Sequence, residues 1–423
     1  MNQFPQMVRH AELDTIRGVA VMGILAMNII AFAMPGGAYF SPIVYGDSRP
    51  LDIVLWAGNF ILFDSKMRAL FAILFGASSA LIAERAIARQ ASPAKAHFSR
   101  MGWLLLFGLA HLYLIWWGDI LTLYALCGLV LYPFLSSPTV KLAGLAAALI
   151  AATCLLWGAG FAALLMAQAS IAQGLDPSAI AQAYELLDKS AHDFGLTATQ
   201  IVRSLDIYSG SYPAIVTYRL VELGWSPVTM VIQTGPETLA QMLIGVILYR
   251  TGMLTGHWPS ILYRRIAVIG LAVALPVQAA LAAYLLLDNF SVVAIFGSYL
   301  VVSLPFDILQ AVAYASLVIL WVRSNRFAWL LRRTAAAGRV AFSNYLGTSI
   351  VMTSLFYGYG LGLFGQIGRP VLWVFVLLAW MVMLLWSASW LRHFRYGPFE
   401  WLWRSLARRS PQPMHLEIAR RTQ

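Results

Sequence analysis

Charged side chains are scarce in this chain of 423 residues: Asp, Glu, Lys and Arg together make up 11%. A water-soluble surface needs far more than that, so a soluble globular protein is excluded. Cysteine is scarcer still, at two residues, Cys127 and Cys154. Both fall within apolar runs and read as small buried hydrophobes, with neither a disulfide framework nor a metal site. There is no nucleophile elbow, no phosphate-binding loop and no metal-ligand spacing. Gly360-Leu-Gly362-Leu-Phe-Gly365 matches a dinucleotide fingerprint in its letters alone. No strand precedes it, so these glycines shape a turn. The net charge of +11 comes mainly from Lys and Arg in alternate short loops. That distribution sets membrane orientation and argues against nucleic acid as a partner.

What the chain has in abundance is apolar length. Hydrophobic residues make up 60% and the mean hydropathy is +0.73, values that belong to a polytopic membrane protein. A backbone in lipid must satisfy its polar groups within its own segment, so the fold class is an all-α membrane helix bundle. About ten spans are expected, at 16–34, 67–83, 101–117, 120–135, 142–168, 228–249, 266–287, 292–322, 336–357 and 371–391. Asp14 is expected to cap the first. Ala31-Phe32-Ala33 resembles a signal-peptide cleavage site, but Glu12 and Asp14 before the apolar run favour a retained span. Residues 51–63 read as an interfacial or re-entrant piece, and Trp116, Trp117, Trp401 and Trp403 as interfacial aromatics.

Four regions follow: a five-span half (1–168), a polar extracytoplasmic segment (169–227), a second five-span half (228–398) and a basic cytoplasmic tail (399–423) that ends in a mobile stretch. In the polar segment Asp176-Pro177 and Thr197 with Gln200 are helix starts. Ile180, Leu186 and Leu187 would form an apolar stripe against the membrane. Of the 29 Lys and Arg residues, about 22 then fall on one side, which places both termini in the cytoplasm.

Counting about 1.5 Å per residue puts Asn28, His111, Glu237, Asp307 and Asn344 near mid-membrane, on five helices. One shared polar cavity accounts for them together, and separate hydrogen bonds between helices are the alternative. Asp64, Lys66, Arg68 and Asp119 come out at the outer rim. His111 lies inside a long apolar run, where a full charge costs about 2.5–3.5 kcal/mol. Its imidazole is the best candidate for a general base or proton carrier. Asp119 is not its neighbour on one helix, so tertiary structure decides whether Asp119, Glu237 or Asp307 orients it.

The stretches LDTIRGVAVMGILAMNI (13–29), GLAHLYLIWWGDILTLYALCG (108–128), GSYPAIVTYR (210–219), GRVAFSNYLGTSI (338–350) and RYGPFEWLWRSL (395–406) together resemble the YeiB family of bacterial inner-membrane proteins. The resemblance implies that location. The first stretch is also similar to the opening helix of transmembrane acyltransferases of the heparan glucosaminide acetyltransferase type, and Asp14, Arg17 and Gly18 fit that opening. In the envelope acyltransferases of that group a catalytic histidine stands where this chain has Asn28. The heparan branch has its active histidine in the following extracytoplasmic loop, and residues 35–63 here contain no histidine. Neither carries over; His111, chosen from its own surroundings and not from the resemblance, would be a relocated base.

The expected function is acyl transfer to an envelope or small-molecule acceptor. Acyl-CoA would be the donor, its phosphates held by Arg17, beside Asp14, and neighbouring arginines. Lys66, Arg68 or Asn28 would polarise the carbonyl, and Asp64, Glu237, Asp307 and Asn344 would line the substrate site. A proton-coupled transporter using His111, Asp307 and Glu237 is the rival, weakened by the lack of an internal repeat. A scaffold docking through 169–227 is the third reading.

Overall fold

Apolar runs this long fold as helices, and helices make up the computed structural model, which describes residues 10–46, 48–174 and 176–416. The polar lead through Arg9 and the end of the tail, 417–423, lie outside the described residues. Helix α1 (Ala11–Ala33) and the single turn α2 (Gly37–Phe40) precede α3 (Pro50–Leu62) and α4 (Lys66–Ala88). Helix α5 (Pro93–Ala110) runs into a π-helical turn, His111–Ile115, before α6 (Leu121–Leu131) and α7 (Thr139–Ala172). The polar segment forms α8 (Pro177–Asp193), α9 (Ala198–Tyr208) and α10 (Tyr212–Glu222). Next come α11 (Ser226–Arg250), α12 (Ser260–Leu287), α13 (Val292–Phe296) and α14 (Ser303–Ser324). The chain closes with α15 (Ala328–Arg339), α16 (Ala341–Phe356), α17 (Arg369–Trp390) and α18 (Pro398–Arg408).

Among the described residues, eight helical stretches are long and apolar enough to cross a bilayer. Two of the expected ten spans are shorter: α6, extended to Ser136 by a 3-10 turn, and α16, of 16 residues. Both are buried along most of their length. Helices walled by protein need not match the lipid thickness, because their neighbours supply the apolar surroundings. Helix α7 is the opposite case, since only 11% of its apolar window is buried and it lies at the edge of the bundle. The result is a polytopic all-α membrane bundle. Helix α1 runs through its middle, in contact with α4, α14, α15, α16 and α17.

Several local expectations change. Helix α1 starts at Ala11 with His10 as its cap. Asp14 therefore lies inside the first turn, where its negative charge complements the positive end of the helix dipole instead of capping the chain. Residues 51–63 are helical, as α3, and separated from α4 by a break at Ser65, whose φ is +57°. Such a conformation is strained for a non-glycine residue and cannot continue a helix. In the polar segment Asp176 accepts from the Ser178 amide at 3.1 Å and Thr197 from the Gln200 amide at 3.4 Å, as expected of the two starts. The inward face of α8 is carried by Ala183, whereas Leu186 is exposed.

The tail is not loose up to residue 416. Helix α18 docks on α5 and α16, and the chain returns so that the Arg395 amide donates to the Met414 carbonyl at 2.8 Å. Buried Glu400 accepts from the Phe342 amide at 2.7 Å, the Ser343 amide at 3.0 Å and the Ser343 hydroxyl at 2.5 Å. One carboxylate thus satisfies the otherwise orphaned amides that open α16. Glu400→Ala is expected to cost about 1–3 kcal/mol, the usual penalty for stranding buried donors. Limited proteolysis should then cut the 398–416 segment well before the bundle.

The crossing of α4 and α11 fixes where their charged residues sit. A Cβ on Gly76 would come within 1.9 Å of the Met242 carbonyl oxygen, and one on Gly245 within 1.9 Å of the Ile73 carbonyl oxygen. Only glycine permits backbones this close, the small-residue contact typical of membrane helices.

Candidate functional site

The site begins where α5 ends. The π-helical turn widens the backbone at His111, and π-turns are frequent at functional positions. The chain then doubles back, so Asp119 faces the imidazole across the corner. Nδ1 of His111 lies 2.8 Å from Asp119 Oδ1, and both side chains have no exposed surface. The second carboxylate oxygen, Oδ2, accepts from the Thr122 amide at 2.7 Å, which anchors the aspartate on the first turn of α6. A carboxylate accepts only, so Nδ1 carries the proton and Nε2 is left as a bare acceptor. Nε2 is buried and has no hydrogen-bond partner. Of the three candidate orienters, Asp119 is the one in place.

Aromatic rings hold the imidazole. Tyr345 lies with its ring centre 5.1 Å away and Trp116 at 6.3 Å. Trp116 in turn stacks on Phe32 of α1 at 3.9 Å. It is 1% exposed, so it belongs to the interior and not to the lipid interface as the sequence suggested. Trp116, Tyr345, Asn28, Phe32 and Ser349 share a small crevice with about 10 Å³ free, room for a single water. Asn28 lines this crevice, and His111 packs against two of the rings that wall it, Trp116 and Tyr345.

The remaining mid-membrane residues are elsewhere. Lys66 donates to Asp307 at 2.9 Å and to the Phe60 carbonyl at 2.6 Å, and Gln278 donates to the same Asp307 oxygen at 2.8 Å. Asp64 accepts from the Tyr39 hydroxyl. Lys66 and Asp64 are buried among protein side chains, Lys66 against the end of α3. Arg68 pairs with Glu237 at 3.7 Å, and Gln241 donates to Glu237 at 2.7 Å. Asn344 is committed to joining α15, α16 and α17. It donates to the Ala337 carbonyl at 3.0 Å and to Ser387 at 3.2 Å, and accepts from Trp386 at 2.8 Å. One shared cavity therefore gives way to a water-sized crevice, the buried pair Lys66–Asp307, the partly exposed pair Arg68–Glu237 and a structural asparagine. Hydrogen bonds tie the neighbouring elements together: the Tyr124 hydroxyl donates to the Arg68 carbonyl at 2.8 Å, and the Ile120 amide to the Tyr345 hydroxyl at 3.3 Å.

On the face of the basic loops, Arg17 bonds Asp14 at 3.3 Å and Ser78 at 3.0 Å. Arg17, Arg404 and Arg408 all act on the charge of Arg100, which stacks on Trp403 at 4.1 Å. Four arginines from three helices thus converge there. Among the described residues no group of three or more His, Cys, Asp or Glu is placed to hold a metal ion, and both cysteines are free thiols.

Sequence pattern does not single out Tyr345, Tyr124 or Gln278, and it reads Trp116 only as an interfacial aromatic. Gln278, a lone amide inside an apolar span, carried a signal that was available; the aromatics, among so many, carried none.

The family described as "Protein of unknown function (DUF418)" matches residues 248–410. The chain is 34% identical to the uncharacterized protein YeiB of Escherichia coli strain K12, over 96% of this chain and 98% of that one. It is 29% identical to the uncharacterized protein YxaH of Bacillus subtilis strain 168, over 96% of each. An uncharacterized 39.9 kDa protein of Bacillus acidopullulyticus is 25% identical over 97% of this chain and 96% of its own. No solved structure matches the chain. Similarity of this extent, running nearly end to end in both partners, makes the chain a member of the YeiB family.

Proposed function

We propose that this protein is an acyltransferase of the bacterial inner membrane, with both termini cytoplasmic, His111 as general base and acyl-CoA as donor. The observation that carries the reading is the arrangement at His111: Nδ1 held by Asp119 at 2.8 Å, Nε2 buried and free of any partner. An imidazole oriented by a carboxylate, with its other nitrogen open, is the arrangement that removes a proton from a hydroxyl or amine. In the reaction the acceptor's proton passes to Nε2 while its oxygen or nitrogen attacks the thioester carbonyl. The C–S bond then breaks, and the departing thiolate takes the proton back from the imidazolium. Asn28, across the crevice, is the amide available to steady the developing oxyanion.

The donor end of this reading rests on the arginine cluster. Asn28 lies 11 residues beyond Arg17 on α1, about 16 Å at the helical rise, a distance that an extended pantetheine arm covers. Phosphates gathered by Arg17, Arg100 and Arg404 would leave the thioester within reach of the crevice. Titration of acetyl-CoA into the detergent-solubilised protein tests this half. Arg17→Ala and Arg404→Ala are each expected to weaken binding about 10- to 100-fold, the loss of one charge-assisted contact. Unchanged affinity in both would remove acyl-CoA as donor.

A proton-coupled transporter is the second reading, favoured by the buried pair Lys66–Asp307 and its neighbour Arg68–Glu237. Intramembrane ion pairs of this kind line proton and solute paths in transporters. Uptake into vesicles that is driven by a proton gradient and lost in Asp307→Asn would decide for it.

A further inference from the structure

Among the described residues Arg219 is the arginine with all three guanidinium nitrogens buried and unpartnered. It sits on α10, at the end of the GSYPAIVTYR stretch, and has no exposed surface. Its Nε, NH1 and NH2 are all buried without a hydrogen-bond partner. The side chains around it are tyrosines. The guanidinium lies over the Tyr357 ring at 5.5 Å, and Tyr208, Tyr357 and Tyr359 interact with its charge. Tyr208 and Tyr357 come close, yet neither offers an acceptor in hydrogen-bonding geometry to any of the three nitrogens. The Tyr357 hydroxyl is itself buried and unpartnered.

A guanidinium carries its charge at every physiological pH. One cation–π contact does not offset the loss of water around the whole group, so a site like this is incomplete as it stands. We infer that Arg219, with Tyr357 and the surrounding tyrosines, is a subsite for a phosphate group of a ligand. The donor count selects phosphate. A guanidinium has five N–H bonds, and with the Tyr357 hydroxyl that gives about six donors, more than the roughly four lone-pair sites of a carboxylate can use. On the same helix Tyr212 is exposed, and its ring lies 5.2 Å from that of Tyr359.

The subsite also stands next to the histidine. Helix α10 lies against the π-helical turn His111–Ile115, and the Tyr113 hydroxyl donates to the Gly224 carbonyl at 2.8 Å. Ile215, Tyr208 and Tyr357 share an apolar cluster with Trp116. A phosphate on Arg219 would therefore hang the rest of its ligand towards Trp116. Both a phospholipid headgroup and a soluble phosphorylated compound bring this chemistry. The inference is read from binding and does not rest on acyl transfer, so its failure would leave the role of His111 standing.

Two arms test it on the full-length protein. In a nonionic detergent, inorganic phosphate is titrated at constant ionic strength against chloride, and the thermal midpoint followed. In nanodiscs, phosphatidylglycerol is compared with a phosphate-free galactolipid. Stabilisation of the wild type in the first arm identifies a soluble phosphorylated ligand, and in the second alone a lipid headgroup. Either is expected to vanish in Arg219→Met. Arg219→Lys, which keeps the charge but loses the planar fork, is expected to weaken the apparent affinity about tenfold. The inference is overturned if the wild type responds in neither arm, or if Arg219→Met responds as the wild type does. Should Arg219→Met fail to fold, an unchanged affinity in Arg219→Lys overturns it equally.

Discussion

Replacing His111 with glutamine is expected to lower acyl transfer by about 10²–10⁴-fold, the usual contribution of a positioned general base, while the protein stays folded. Glutamine fits because its amide can still donate to Asp119 where Nδ1 does now, at 2.8 Å, so the corner between α5 and α6 keeps its tie. What it lacks is a basic nitrogen in place of Nε2. Asp119→Asn attacks the same chemistry from behind. An asparagine can accept from the Thr122 amide through its oxygen and turn its NH2 towards Nδ1. Nδ1 must then accept, the proton moves to Nε2, and the imidazole presents a donor where a base is needed. A loss comparable to that of His111→Gln is expected, with little change in stability. The measurement is release of free CoA thiol from acetyl-CoA by purified protein supplied with envelope extract, beside a thermal melt of each variant. Wild-type rates in both variants would dismiss the dyad as a base. Unfolding of both would make it a structural tie.

How much of this was legible beforehand follows from what a sequence pattern records. Hydropathy registers whether a segment faces lipid or protein interior, and that sufficed for the all-α bundle and for most spans. It does not register which polar group meets which. His111 and Asp119 are eight residues apart, a spacing that an uninterrupted helix would place over two turns from one another. They meet because the π-turn and the corner after it fold the chain back; the corner at Gly118-Asp119 is legible between two apolar spans, whereas the π-turn has no local signature. Lys66 was assigned to the rim by counting residues from Arg85. The strained break at Ser65 agrees with that count, since α4 begins at Lys66; what a count along the chain does not register is that the Lys66 side chain turns into the protein. Asn344 was grouped with the cavity by depth alone, and depth cannot distinguish a residue facing a crevice from one bonded to Trp386 and Ser387. Arg219 escaped notice for the reverse reason. It lies in the polar segment, where arginine is ordinary, and only the tyrosines that surround it make it unusual.

Lys66→Met is expected to destabilise the protein by about 3–5 kcal/mol, the cost of breaking a buried ion pair from one side. Nζ of Lys66 binds Asp307 at 2.9 Å and the Phe60 carbonyl at 2.6 Å. Phe60 lies in the last turn of α3, so the ammonium also sits where the helix dipole is negative. Methionine matches the stem in length and leaves two groups stranded: the Asp307 carboxylate and the end of α3. Gln278, donating to Asp307 at 2.8 Å, is one hydrogen bond for a charge that had two. The partner change Asp307→Leu, made alone, strands the ammonium and should cost a similar amount. Made together with Lys66→Met it removes both charges, and the double variant is expected to recover most of the loss, since an apolar pair of like volume often replaces a buried ion pair at no cost. A double-mutant cycle of unfolding free energies in detergent supplies the coupling. Strictly additive losses would mean that Lys66 and Asp307 do not hold each other. Recovery of stability without recovery of proton-driven uptake would separate the pair's part in the fold from a part in transport.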